Sequence, residues 1–263
     1  MIDILTVDPV LIVILAGAGI LAGFLAGILG VGGGFLFAPA GYFVLLSAGF
    51  PKETALLTAF GVSLAAAFPT VLTSAVAHTR QGNVSWKTAA VMGICGMVFG
   101  FAGGFAAAAL PVDVLTILFS IILVIGGIRM ITKLPSGEKT TMPSPLAAGI
   151  GAVGGFFSGL LGVGGGTILV PLMTIFGKFP VKRAAAVSSA AIVFITAGGI
   201  VSYLLHGSFD LVLWVVLVVT AVPAAYFSAA KISGKIPDKW VRILFFVLMA
   251  AVAVRMTLGV FFD

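Results

Sequence analysis

The sequence predicts an all-α polytopic membrane protein, and three observations support this fold class. The chain has 263 residues, of which 61% are hydrophobic and only 8% are charged. Its mean hydropathy is +1.28. Apolar stretches near the length that spans a bilayer recur from one end of the chain to the other. A soluble domain needs a polar surface, and this chain has too few charged residues to build one. Its surplus of Lys and Arg is therefore expected in loops that orient the chain in the membrane, not on a nucleic-acid surface.

The chain contains an internal duplication. Residues 27–39 read GILGVGGGFLFAP and residues 159–171 read GLLGVGGGTILVP, so the two segments match at an offset of 132. The match includes both ends and the whole GVGGG core. The sequence therefore predicts a first membrane repeat at 1–132, a polar cytoplasmic linker at 133–143 and a second membrane repeat at 144–263.

Each repeat consists of a glycine-broken segment followed by three unbroken apolar stretches. The predicted helices of the first repeat are 9–29, 38–49, 54–78, 87–109 and 112–131. Those of the second repeat are 145–161, 170–177, 183–205, 210–231 and 238–261. The helices that follow the glycines are short. Each broken segment is therefore either one bent span or a hairpin that returns to its own side of the membrane.

The loop charges distinguish these two arrangements. With the N-terminus outside and each broken segment returning, twelve of the fourteen Lys and Arg residues face the cytoplasm, and only Lys52 and Arg255 do not. The positive-inside rule therefore favours hairpins. Each repeat then crosses the membrane an odd number of times, so the two repeats have inverted topology, as in many secondary transporters. We expect a bacterial inner (plasma) membrane location with both termini on the periplasmic side.

The GVGGG runs predict that the helix breaks inside the membrane. Glycine costs about 1 kcal/mol relative to alanine in a helix interior. Non-helical backbone at membrane depth is tolerated only where it is buried in protein or lines a wet cavity. A proline follows each run, and proline fits the first turn of a helix, so the helix is expected to restart near it. A restarting helix presents free N–H groups and a positive dipole end, which suit an anion. The candidate residues are Gly30, Gly32, Gly33, Gly34, Pro39, Gly162, Gly164, Gly165, Gly166 and Pro171.

Close helix packing is the alternative interpretation of these glycines, because small residues often bring membrane helices together. We expect Gly100, Gly103 and Gly104 to serve only that purpose. A nucleotide-binding loop is excluded because no GK[ST] follows either run. Hydroxyl groups on neighbouring helices can donate to an anion, although Ser and Thr are also common in packed membrane helices. The hydroxyl candidates are Thr58, Ser63, Thr167, Ser188 and Ser189.

Few ionisable side chains fall inside the predicted spans. No Asp or Glu lies well inside one, so a carboxylate proton relay is not expected. His78 and His206 lie at helix ends, where either proton coupling or interfacial capping would suit them. Arg129 and Arg255 occupy equivalent places in the last helix of each repeat, where they either attract anions or extend to the interface. We expect no metal site and no cofactor.

The paired GxGGG-x4-P motifs, the duplication, the length and the HTRQGNVSW stretch at 78–86 resemble the TauE/SafE family of bacterial sulfite exporters, also called the toluene sulfonate uptake permease family. The resemblance covers nearly the whole chain. It implies transport of small sulfur-containing anions across the inner membrane, and it suggests proton coupling. The motif positions that carry over are the ten glycines and prolines named above. GVS at 61–63 is similar to the family's small-hydroxyl pattern, whereas SSA at 188–190 departs from it.

We therefore expect an exporter that binds sulfite or an organosulfonate between the two breaks and works by alternating access. An anion channel that uses the breaks as its selectivity filter is the alternative, and a non-transporting membrane scaffold is a third class. An enzyme is not expected, because no Ser–His–Asp, paired-carboxylate or metal-ligand cluster occurs at membrane depth. The expected partners are the anion, the lipid bilayer and protons as coupling ion. The sequence leaves the oligomeric state open, a homo-oligomer included.

Overall fold

The structure, a computed structural model, is all-helical across the residues it describes, which are 9–29, 31–132, 139, 141–232 and 238–262. Gly30 and most of the predicted linker lie outside these residues. The helices are α1 (Pro9–Leu29), α2 (Gly34–Ser47), α3 (Lys52–Arg80), α4 (Trp86–Ala109), α5 (Val112–Ile131), α6 (Ser144–Leu161), α7 (Gly166–Ile175), α8 (Val181–Leu205), α9 (Leu211–Phe227) and α10 (Asp238–Phe262). A π-helical turn, Ser228–Ile232, continues α9.

Eight of these helices are long and apolar enough to cross a bilayer, whereas α2 and α7 are shorter. The prediction of an all-α polytopic membrane protein is therefore confirmed. A glycine-broken pair of helices begins each repeat, as predicted, and three long helices follow it.

The helices after the breaks begin earlier than predicted. α2 begins at Gly34 and α7 at Gly166, so each proline is the sixth residue of its helix and does not lie in the first turn. The prediction that the helix restarts near the proline is therefore wrong. The reason lies at Gly33 and Gly165, which precede the helices with φ of 76° and 79°. Glycine adopts this left-handed conformation without steric cost, and the chain turns directly into a helix there.

The second broken segment is a hairpin. α6 and α8 both pack along α4 in the same direction. Along α6, Gly151 meets Met92 and Gly155 meets Gly96. Along α8, Phe194 meets Gly93 and Ser202 meets Gly104. Since α6 and α8 are parallel, the chain returns to its starting side between them. α7 supplies the return, with Leu169 packed against Gly154 of α6.

Close packing of small residues brings these helices together. A methyl group on Gly100 would lie 3.1 Å from the carbonyl oxygen of Ile195, and one on Gly103 would lie 2.8 Å from the amide nitrogen of Leu160. A methyl group on Gly104 would meet the Ser202 side chain. The expectation that these three glycines pack helices is confirmed, and their substitution would separate α4 from α6 and α8.

The packing pattern is preserved when the two halves are exchanged. α4 packs on α6 and α8, and its equivalent α9 packs on α1 and α3. Gly61 of α3 lies against Tyr203 of α8, and Leu64, further along α3, lies against Gly199, which comes earlier in α8. The equivalent helices α3 and α8 are therefore antiparallel. Equivalent elements therefore face each other across the centre of the molecule, and α3 and α8 are its two most buried spans.

Candidate functional site

The two glycine breaks meet backbone to backbone. A methyl group on Gly34 would lie 2.7 Å from the carbonyl oxygen of Gly162, and one on Gly166 would lie 2.7 Å from the carbonyl oxygen of Val31. No side chain fits at either position without moving the other break. The glycines at these two helix starts are thus required by the close approach of one repeat to the other.

Ser63, near the middle of α3, joins the two breaks. Its fully buried hydroxyl donates to the carbonyl oxygen of Gly162 at 2.7 Å, and the carbonyl oxygen of Gly34 lies 3.2 Å away. Ser63 is thus placed at the breaks, where the sequence predicts it. Its single proton is directed to a protein carbonyl.

Two other hydroxyl groups at the second break have no hydrogen-bond partner among the described residues. Thr167 is the second residue of α7 and is 3% exposed, and Ser158 of α6 is fully buried. The Ser158 Oγ would lie 3.5 Å from a methyl group on Gly165, the residue that precedes α7. A buried hydroxyl without a partner costs free energy, so each such group calls for an explanation. Both hydroxyl groups lie beside the N-terminus of α7.

The first break has apolar side chains at the equivalent positions. With the offset of 132, Ser158 corresponds to Ala26 and Thr167 corresponds to Phe35. Phe35 is fully buried and packs against Phe245 of α10, with ring centroids 4.5 Å apart. The two breaks are therefore alike in backbone and different in side-chain chemistry.

A cavity of about 520 Å³ opens beside the second break, between α5, α6 and α7. Thr167 lines it, as does Arg129, and the remaining lining side chains are apolar. Pro171, one of the predicted site residues, also lines this cavity. Thr167 approaches α5 at Gly126, where a methyl group would lie 3.5 Å from the Thr167 Cβ. Thr167 and Arg129 therefore line the same cavity.

The remaining hydroxyl candidates are buried in the helices that pack around the breaks. Ser189 donates to the carbonyl oxygen of Ala185 in its own helix at 2.9 Å. Ile192, one turn after Ser188, contacts the first break, where a methyl group on Gly32 would lie 3.7 Å from its side chain. Thr58 is 7% exposed and Pro39 is buried inside α2.

The two histidines occupy different environments. His78 is 1% exposed, and neither of its ring nitrogens has a hydrogen-bond partner among the described residues. His206 is exposed at the end of α8, where its Nδ1 lies 2.8 Å from the carbonyl oxygen of Ser202 and its ring packs edge-on against Phe105. The capping role open to both histidines therefore fits His206.

Arg255 is held on the first half of the molecule. Its guanidinium lies over the ring of Phe43 in α2, with 5.1 Å between the guanidinium carbon and the ring centroid. This cation–π contact keeps the Arg255 guanidinium against α2. Arg255 is not among the residues that line the cavity beside Arg129.

Reasoning from the sequence missed Ser158. Its signal was available, because Ser158 directly precedes the second duplicated segment and the position before the first segment, Ala26, is apolar. Tyr203 was also missed, and its buried hydroxyl donates to the carbonyl oxygen of Gly159 at 2.9 Å, which ties α8 to the end of α6.

Comparison with known proteins identifies the family. The family model described as "Sulfite exporter TauE/SafE" matches residues 15–256. A probable membrane transporter protein of Methanocaldococcus jannaschii is 31% identical over 270 residues, covering 97% of each chain. One of Haemophilus influenzae is 30% identical over 200 residues, 75% of each chain, and YunE of Bacillus subtilis, also named a probable membrane transporter protein, is 24% identical over 267 residues, 93% of this chain and 96% of its own. The sequence resemblance is confirmed: the chain belongs to the Sulfite exporter TauE/SafE family.

Proposed function

We propose that this multi-pass membrane protein is a secondary transporter that exports a small sulfur-containing anion, sulfite or an organosulfonate, across the bacterial inner membrane. The anion binds where the two glycine breaks meet and leaves unchanged in its covalent structure. The observation that carries the proposal is the meeting of the starts of α2 and α7 next to buried hydroxyl groups that have no partner among the described residues.

The chemistry of the breaks suits an anion. The first N–H groups of a helix have no partner within the helix, and the helix dipole places positive charge there. In α7, Ile168 and Leu169 donate to the carbonyl oxygen of Gly165 at 3.0 and 2.8 Å, so the amides of Gly166 and Thr167 precede the first such bonds. Donors of this kind can replace part of the hydration shell that an anion loses in the membrane.

The arrangement of the halves supports alternating access. The equivalent helices α3 and α8 are antiparallel, and so are α5 and α10, in which Gly127 meets Phe246 while Ile121 and Val254 line one groove. If these helices cross the membrane, the two repeats have inverted topology. Rocking of one repeat against the other would then expose the breaks to either side in turn. The loop charges favour periplasmic termini.

Arg129 and His78 take supporting roles in this proposal. Arg129 attracts the anion into the cavity beside the second break, because a cation beside an apolar space raises the local anion concentration. His78 is the candidate for carrying a coupling proton, since it is buried and both of its ring nitrogens are available.

Equilibrium binding of sulfite and a panel of sulfonates to the purified protein tests the proposal. Gly33→Val and Gly165→Val distort the two breaks, because valine does not tolerate the positive φ at these positions. Gly149→Val is the matched control, since nothing lies within 4 Å of a side chain added there. The proposal expects binding by the wild type and the control and loss of binding in folded break variants. Binding that survives in both break variants would contradict it.

A further inference from the structure

Resting on the proposed function, we propose that the oxyanion is held at the second break alone, in a subsite formed by the hydroxyl groups of Ser158 and Thr167 and the first amides of α7. The first break is then a structural counterpart that closes the opposite side of the site. The ligand class is a small oxyanion, the sulfite or sulfonate group itself.

The subsite rests on two independent observations. The first is the N-terminus of α7, a ten-residue helix whose preceding residue, Gly165, offers no side-chain cap. The second is the pair of buried hydroxyl groups, at 0% and 3% exposure, with no hydrogen-bond partner among the described residues. Ser158 faces Gly165 and Thr167 lies two residues after it, so both hydroxyl groups flank the same helix start. Hydroxyl and amide donors satisfy the oxygens of an anion without adding charge.

The first break lacks these donors. Ala26 stands in place of Ser158, and Phe35 stands in place of Thr167. The Phe35 ring packs against Phe245, so an aromatic side chain fills the space next to the helix start. An anion at this break would meet hydrocarbon where the second break offers hydroxyl groups, and burial of charge without donors is strongly unfavourable.

The two breaks also differ in the position of the equivalent arginine. Thr167 lines the cavity of about 520 Å³ that also reaches Arg129. At the first break, the equivalent arginine, Arg255, stacks on Phe43. The second break therefore has an arginine on the cavity beside it, whereas the arginine of the other repeat lies on an aromatic ring.

Other buried hydroxyl groups already donate hydrogen bonds to carbonyl oxygens of the protein. Ser63 donates to Gly162 and Thr174 donates to Pro171, each at 2.7–2.8 Å. Ser74 and Thr196 donate to carbonyl oxygens one turn earlier in their own helices. Ser158 and Thr167, in contrast, have no partner among the described residues, so their hydroxyl groups can turn towards a ligand.

Binding of sulfite and of a simple alkylsulfonate to the purified full-length protein tests the subsite. Ser158→Ala and Thr167→Val remove one hydroxyl each, while Thr167→Ser keeps it. Ser74→Ala and Thr196→Val are matched controls that remove equally buried but committed hydroxyl groups. Each lost hydrogen bond to a charged group should weaken binding by roughly tenfold or more. We expect the double variant to bind at least about a hundredfold more weakly, Thr167→Ser to retain binding and both controls to bind as the wild type does.

The outcomes separate this inference from the proposed function. If the wild type binds sulfite and the double variant binds equally well, the subsite is wrong while an anion site elsewhere survives. If Thr167→Ser loses binding as fully as Thr167→Val, shape and not the hydroxyl is responsible, which also overturns the inference. If the folded wild type binds none of these anions, the proposed function itself fails, and the subsite fails with it.

Discussion

The hydroxyl of Ser63 donates to the carbonyl oxygen of Gly162 at 2.7 Å and thereby joins a helix of the first repeat to the break of the second. The carbonyl oxygen of Gly34, in the break of the first repeat, is 3.2 Å from the same hydroxyl. One fully buried side chain thus contacts both breaks. The junction of the two repeats depends on it as well as on glycine packing.

Replacing Ser63 by alanine should lower the free energy of unfolding by about 1–3 kcal/mol, because the buried carbonyl of Gly162 loses its donor. Thermal unfolding of the detergent-solubilised protein measures this change. Ser74→Ala, whose hydroxyl bonds only within α3, should have a smaller effect. Equal stability of the wild type and Ser63→Ala would show that this hydrogen bond does not hold the junction together.

Two alanine substitutions in α6 should have opposite effects on stability. Gly149→Ala meets no atom within 4 Å and removes a helix-weakening glycine, so it should be neutral or should stabilise by up to about 1 kcal/mol. Gly155→Ala places a methyl group against the backbone of Gly96 and should destabilise by several kcal/mol or prevent folding. Unfolding midpoints compare the pair. A Gly155→Ala protein as stable as Gly149→Ala would refute the close approach of α4 and α6.

Phe35→Ala should destabilise the protein by about 3–5 kcal/mol, because it leaves a cavity against Phe245. If the anion binds at the second break, the variant that still folds should bind sulfite with nearly unchanged affinity. The unfolding midpoint and the dissociation constant are measured on the same preparation. Loss of affinity out of proportion to the loss of stability would place Phe35 in the binding site.

Arg129→Gln should weaken anion binding a fewfold and reduce its dependence on ionic strength, since the attraction of an accessible cation is screened by salt. Arg255→Gln should have less effect on affinity, because Arg255 lies on Phe43 and not in the cavity. Binding measured at low and high salt tests both. Equal effects of the two substitutions would indicate general surface charge and not a route through the cavity.

Inverted repeats predict opposite accessibility for equivalent loops. Asn83, before α4, and Leu211, at the start of α9, are equivalent positions in the two repeats. In a protein whose single cysteine, Cys95, is replaced by serine, Asn83→Cys should react with an impermeant thiol reagent only from the cytoplasmic side. Leu211→Cys should react only from the periplasmic side. Labelling of both from the same side would exclude inversion.

The sequence predicts the helices of this fold closely where its signals are local. Long apolar stretches give the spans, and α5 (Val112–Ile131) begins and ends where the pattern predicts. The sequence predicts the starts of α2 and α7 too late, because proline is typical of the first turn of a helix. The positive φ of Gly33 and Gly165, which depends on the path of the chain, starts both helices earlier.

The candidate site was only partly accessible to sequence reasoning. The glycines and Thr167 follow from the motif itself. The roles of Ser63 and Ser158 depend on which helix faces which break, and long-range packing decides this. Ser63 was predicted as a donor to the anion, whereas its proton is directed to Gly162. The difference between Ser158 and Ala26 is visible in the sequence, but only the structure shows that Ser158 faces the start of α7.

Counterflow in proteoliposomes tests the central claim most directly. Vesicles that contain the purified protein are loaded with unlabelled sulfite, and the uptake of labelled sulfite is compared with uptake into sulfite-free vesicles. A carrier with one alternating site predicts saturable uptake that internal sulfite accelerates, and loss of this uptake in a folded Gly165→Val variant. Uptake that neither saturates nor responds to internal sulfite would contradict the carrier and would indicate a channel.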